Sequence, residues 1–189
     1  MIITIGRECG CGADEIGKFL AEKYQIPFYA RKQLEQLAKE KGIYDRYPFF
    51  FGEIPADTML HSLSEEIEEQ VRKVPKEVFS QLLQNQDCVI VGRASNYALQ
   101  DCEDVISLFF SGTKDARIEK IAYSHGITKK KAKMIVEETD RRRCNYHQYY
   151  SGQVWGYAGN YDMCLDAIHL GKEGIANMVD AYYRQKKIN

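Results

Sequence analysis

Three glycines and a scatter of arginines are the residues whose types and spacing point to chemistry. The stretch "IGRECGCGADEIG" starts at Ile5 and sets glycines at 6, 10 and 12 just ahead of a helical pattern. A loop of that kind leaves backbone N–H groups open to an anion, and the helix behind it adds its dipole. Gly6, Arg7, Glu8, Cys9, Gly10, Cys11, Gly12 and Ala13 are therefore candidates to cradle the phosphates of a nucleotide. The usual phosphate loop closes with a lysine for the outer phosphates and a Ser or Thr for magnesium. Here Ala13 and Asp14 stand in those places, and a plain strand–turn–helix connection would carry the same glycines. Arg93 follows the apolar run "CVIVG" directly. A guanidinium there can grip a phosphate through two parallel hydrogen bonds, or simply pair with a surface acid. Arg141, Arg142 and Arg143 close a charged helical pattern. They either complement a helix end or reach a transferring phosphoryl group. Cys9 and Cys11 open a further reading, a redox or metal site, although two thiols without a clustered partner rarely complete one.

The elements that must position these residues follow from periodicity. Continuous apolar runs at 1–5, 26–30, 88–92, 105–112 and 161–167 predict strands or extended segments. Helical patterns cover 13–24, 31–42, 58–84, 113–126, 128–150 and 171–187, with Pro75 suited to a helix restart. The aromatic stretch 43–57 reads as an irregular loop. Strand and helix alternate throughout, which predicts an α/β fold with a parallel sheet and helices on both faces. Ligands in such sheets sit beyond the carboxyl ends of the strands. That rule singles out residues 6–15, 92–97 and 166–170.

Bulk properties narrow the classes. A chain of 189 residues is long enough for one domain with its own core. Lys plus Arg is 26 against 27 Asp plus Glu, a balance that argues against broad nucleic-acid binding. The apolar runs fall far short of a membrane span. The chain opens directly on a strand pattern, so we expect no export signal, six free thiols and a cytoplasmic protein. Oligomeric state is left open.

Taken together the segments resemble the cytidylate-kinase-like family of P-loop phosphotransferases, over almost the whole chain. "ITIGRECGCGADEIGKFLAEKYQIPFYARKQLEQLAKE" resembles its opening Arg-Glu-x-Gly-Ser-Gly-Gly signature, and "CVIVGRASNYAL" its Gly-Arg strand end. "DRRRCNYHQYYSGQVWGYAGNYDMCLDAIHLG" is similar to its final pattern, with Asp140, Arg143, Tyr146, Tyr150, Gly152, Trp155, Gly156, Asn160, Tyr161 and Asp162 on matching positions. Departures are Cys11 and Ala13 in the loop, Ala30 where an Asp is usual, and Tyr157 after Trp-Gly.

The resemblance implies a P-loop NTPase-type sheet of about five strands in a single domain over 1–189. An acceptor-side insertion falls at about 43–84 and a helical lid at about 128–160. It implies an ATP-dependent kinase that moves the γ-phosphoryl group to a nucleoside monophosphate or similar small acceptor, with Mg2+ as the accompanying ion. Members commonly lack the loop lysine; Arg7 is then a candidate for its charge, and Glu8 or Glu15 for help with magnesium. Arg31 and Arg93 are candidate acceptor ligands. Arg143 is the candidate catalytic arginine, supported by Arg141 or Arg142 and oriented by Asp140, while Trp155 and the tyrosines around it shape the lid or simply pack it. A nucleotide-binding module of the same fold without turnover is the alternative.

Overall fold

Runs of branched and aromatic residues bury both faces and pair edge to edge, as continuous hydrophobic strands must. The computed structural model describes residues 1–52, 65–84 and 86–188. Its strands are β1 (Ile2–Arg7), β2 (Phe28–Tyr29), β3 (Cys88–Val91), β4 (Val105–Ser111) and β5 (Met163–Asp166). They form one all-parallel sheet in the order β2–β3–β1–β4–β5. The helices are α1 (Ala13–Tyr24), α2 (Arg31–Glu40), α3 (Pro48–Phe51), α4 (Glu65–Leu83), α5 (Ser95–Ala98), α6 (Lys114–His125), α7 (Lys129–Ser151) and α8 (Ala167–Lys186).

Alternation along each strand splits the core in two. Ile3, Ile5, Val89, Val91, Ile106 and Leu108 pack with Ile16 and Leu20 of α1 and with Ile175 and Val179 of α8. On the other face Ile2, Cys88, Ile90 and Val105 meet Leu34 of α2, Phe50 and Phe51 of α3, and Phe79 and Leu82 of α4. Full burial of each such side chain contributes about 1.5–3 kcal/mol. Strand β1 lies at the centre, and Ile5 stands between Val91 and Leu108. Its carboxyl end is therefore walled by the ends of β3 and β4, which is where this topology places ligands.

Four local features differ from the expectations. The aromatic segment carries α3, started by Pro48 at its first position, and a preceding 3₁₀ turn at Tyr44–Arg46. Burying Phe50 and Phe51 outweighs its lack of pattern; residues 53–57 lie outside the described residues. Helix α4 runs through Pro75 without a restart, because Val78, Phe79, Leu82 and Leu83 beyond it are all buried. The part expected at 58–64 also lies outside the described residues. α5 was not expected, being four residues long and entered through left-handed backbone at Gly92, Arg93 and Ala94 (φ 85°, 59° and 51°). α8 begins early: Asp166 caps it by accepting from Ile168 and His169, and the chain kinks at Gly171 before the helix expected there.

Candidate active site

The loop from β1 to α1 is shaped by two glycines and a neighbouring helix. Gly10 has φ 92°, and a β-carbon there would lie 2.8 Å from the Arg117 carbonyl oxygen. Backbone cannot yield to it, so no side chain fits at position 10. Gly12, with φ 73°, caps α1 without any side chain to accept from the first-turn N–H groups. Those donors remain available to an anion. Both loop thiols turn inward, with Cys9 and Cys11 buried. Burial pushes the Cys11 thiol up to about 12, the reverse of a reactive thiolate. Among the described residues no group of three or more His, Cys, Asp or Glu is placed to hold a metal ion.

The loop is gripped by an ion-pair network centred on Arg117 of α6. Its side chain is 7% exposed. Nε donates to the Gly112 carbonyl at 3.1 Å, and one terminal nitrogen donates to the Cys9 carbonyl at 3.1 Å and to Asp140 Oδ2 at 2.6 Å. Glu8 Oε2 lies 3.2 Å from Nε and accepts the Gly112 N–H at 3.1 Å. Asp140 Oδ1 accepts the Cys9 N–H at 2.6 Å. The Cys9 peptide is thus held at both its N–H and its C=O.

This arrangement corrects one expectation. Asp140 does not orient Arg143; its carboxylate is engaged by Arg117 and the loop. The Glu8 carboxylate is engaged as well, by Arg117 and the Gly112 N–H.

Beside the loop a cavity of about 550 Å³ opens at the ends of β1 and β3. Its floor is Ile5, Gly6, Val91 and Gly92, and one wall is α7. Six arginines line it: Arg7, Arg31, Arg93, Arg141, Arg142 and Arg143. Arg7 lies with its guanidinium against Gly92, at the junction of loop and cavity. Burial, with Arg143 and Arg93 adding repulsion against the pull of Asp14, lowers its pKa to about 9. Arg143 donates to the Arg7 carbonyl at 3.3 Å, so it turns inward to the base of the loop. Arg141 and Arg142 also line the cavity while pairing with Glu138 at 3.0 and 3.7 Å. Arg31 pairs with Glu35 at 2.7 Å. Arg93 is largely committed within the protein: it donates to the carbonyls of Phe50, Phe51 and Gly52 at 2.7, 2.6 and 3.1 Å and stacks 4.9 Å from the Tyr146 ring. Here it fastens α3 to the end of β3.

Comparison with known proteins decides the family. Residues 2–169 match the sequence profile of the cytidylate kinase-like family. The chain belongs to the cytidylate kinase-like family. It is 25% identical over 186 residues to a protein named cytidylate kinase from Methanocaldococcus jannaschii, covering 96% of each. A cytidylate kinase from Methanocorpusculum labreanum is 22% identical over 183 residues, covering 96% of this chain and 95% of that one. Among solved structures, an uncharacterized protein from Eubacterium ventriosum superposes with a TM-score of 0.69 at 28% identity, over 98% of both chains. Shikimate kinase from Bacteroides thetaiotaomicron superposes at 0.53 with 12% identity, over 97% of this chain and 98% of that one, a likeness of fold. The sheet is that of a P-loop kinase.

Within this cytidylate kinase-like fold several signature residues serve both the frame and the cavity lining. Tyr146, Tyr150, Trp155 and Asp162 build the frame. The Tyr146 hydroxyl donates to the Phe50 carbonyl at 2.8 Å, Tyr150 packs edge-on to Phe50, and Trp155 packs edge-on to Phe109. Asp162 accepts from Ser107 and from Tyr182. Arg7, Arg143, Tyr146, Trp155 and Tyr161 line the cavity.

Two residues at the loop are not evident from sequence alone. Arg117 sits on the apolar stripe of α6 with Ile118, and a lone arginine on such a stripe is the signal that marks it. Lys120, one turn on, places Nζ 2.7 Å from where a β-carbon of Gly12 would stand, with Glu15 Oε2 4.0 Å from that point. A lysine therefore does stand over the loop, supplied by α6 rather than by the loop itself. Among the described residues no helix is long and apolar enough to cross a membrane.

Proposed function

We propose that the protein transfers the γ-phosphoryl group of ATP to a nucleoside monophosphate or a similar small anionic acceptor. The observation that carries this reading is the arginine-lined cavity set against the loop at the end of β1. Phosphoryl transfer asks little covalent help of a protein; it asks for in-line positioning and neutralised charge. The loop N–H groups and Lys120 would hold the donor phosphates. The acceptor oxygen would attack the γ-phosphorus from the cavity, and the bond to the bridging oxygen would break to release ADP. Arg7 stands at the junction of the two sites, where the transferring group passes. Arg143, already at the base of the loop, would meet the charge that builds there. Arg31, Arg141 and Arg142 supply the remaining field around the acceptor, and Arg93 fixes α3 beside it. The segment at about 128–160 would serve as the cover.

A magnesium ion, if recruited, would neutralise charge on the donor oxygens. Asp14 suits that role, being an oxygen donor at the loop position of the usual hydroxyl, and its charge is felt by Arg7.

The test is ADP release against a panel of nucleoside monophosphates and nucleosides, with Arg143→Ala alongside. Turnover by the parent should fall on the order of 10³-fold in the variant, as for other arginines that meet charge in the transition state, with ATP affinity little changed. ATP binding without ADP release from any acceptor would leave a nucleotide-binding module in place of an enzyme.

A further inference from the structure

Two buried polar atoms in the cavity wall lack partners. His147 and Tyr161 are 4% and 8% exposed, and both line the cavity. Neither His147 Nε2 nor the Tyr161 hydroxyl has a hydrogen-bond partner among the described residues. The Gly156 backbone lies beside the Tyr161 hydroxyl. Native folds rarely leave such groups unanswered, because their desolvation goes uncompensated.

The two groups belong to one neighbourhood. Asn96 Nδ2 lies 3.5 Å from Gln153 Oε1 and 3.5 Å from the Asn160 carbonyl. Gln153 lies beside the His147 ring, and Asn160 adjoins Tyr161 in the chain. Asn96 therefore ties the two together, and it lines the cavity as well. Phe109 backs the Tyr161 ring at 5.0 Å. Burial keeps the imidazole neutral, with its pKa lowered to about 4. This part of the lining is thus polar and uncharged, while the arginines and Glu138 line the cavity elsewhere.

We propose that His147 and Tyr161 form the specificity end of the acceptor site, hydrogen-bonding an uncharged hydroxyl or amide on a molecule whose anionic group lies among the arginines. The inference rests on the acceptor-site reading above and adds the chemistry of the acceptor's far end. A hydrocarbon end would leave both atoms unpaired. A second anion would meet a neutral ring and a phenol with no counter-charge. A phosphate monoester of a polyol or nucleoside meets both requirements.

Calorimetric titration of the whole protein, without ATP, tests this with inorganic phosphate, ribose 5-phosphate and CMP as probes. At least one ester should bind the parent about tenfold or more tightly than inorganic phosphate. Tyr161→Phe should erase about 3–10-fold of that preference, the loss expected for one neutral hydrogen bond, and leave phosphate affinity unchanged. The same variant without ligand should melt no lower than the parent, since its hydroxyl has nothing to lose. Preference retained in Tyr161→Phe, a clearly lower melting temperature, or esters binding no better than phosphate would each overturn the proposal while leaving the arginine site standing. If no probe binds and no acceptor supports ADP release, the proposed function falls with it.

Discussion

Replacing Arg117 by methionine should be the most damaging single change near the loop, although no substrate is expected to touch it. The substitution keeps much of the volume but removes every donor. Two carboxylates then lose their cation: Asp140, bonded at 2.6 Å and 18% exposed, and Glu8, at 3.2 Å and 25% exposed. The carbonyls of Cys9 and Gly112 lose a donor as well. Breaking a buried ion pair from one side typically costs about 3–5 kcal/mol, because the surviving charge stays desolvated. Partial exposure of both acids holds the expectation to that range even with two carboxylates stranded. For a chain of this length the loss is about 6–20 °C in melting temperature. Urea unfolding at neutral pH measures it, provided the slope is unchanged. A second arm separates stranded charge from lost packing. Adding Glu8→Gln and Asp140→Asn to Arg117→Met should recover part of the loss, because no uncompensated charge then remains. If Arg117→Met stays within about 1 kcal/mol of the parent, or the triple variant is simply worse than the single, the network does not hold the loop as described.

The other expectations are narrower. Gly10→Ala should destabilise the protein more than Gly12→Ala, since its β-carbon meets the Arg117 backbone whereas that of Gly12 meets the movable end of Lys120; equal melting temperatures would contradict this. Lys120→Met should weaken ATP by about 10–100-fold, the loss of one charge-assisted contact at about 1.5–3 kcal/mol, with adenosine affinity and stability unchanged; fluorescence titration with both ligands decides it. Acid sensitivity should include His147, whose folded pKa of about 4 lies below the unfolded value near 6.5. The unfolded chain then binds a proton the native state refuses, so stability is full above about pH 6.5 and declines toward pH 4, by about 3 kcal/mol. His147→Asn should flatten the denaturation profile by that amount between pH 7 and 4.5, and a profile parallel to the parent's would show the ring is not held neutral.

Much of the scaffold was legible because the strands are continuous apolar runs and α1 is bounded by Gly12 and Gln25, both in left-handed conformation. Helix α3 was not, since a cluster of aromatics has no period to read; its helix is set by the pocket that Phe50 and Phe51 fill. α5 is too short for a pattern, and its entry depends on Arg93 holding a φ of 59° while bonded to carbonyls some forty residues upstream. The candidate site divides along the same line. That arginines gather at residues 93 and 141–143 could be read directly, but their partners are tertiary. Arg117 joins Glu8 through the parallel pairing of β1 with β4, and Asp140 through the packing of α6 on α7. Lys120 is hidden for the same reason: it stands over the loop from α6, more than a hundred residues along the chain.

The double grip on Cys9 also acts as a pivot. Asp140 sits in the middle of α7 and is pinned to the loop, so the helix cannot swing as a rigid arm hinged at its ends. Arg143 lies three residues beyond that fixed point, about 4.5 Å along the axis at 1.5 Å per residue. Rotation about Asp140 moves a residue in proportion to its distance from the pivot, and at one turn the lever is short. Beyond it Tyr146 and Tyr150 hold the helix against Phe50, so Arg143 must find its target by turning its own side chain. The stroke available to this arginine is that of a side chain, whatever the rest of the cover does.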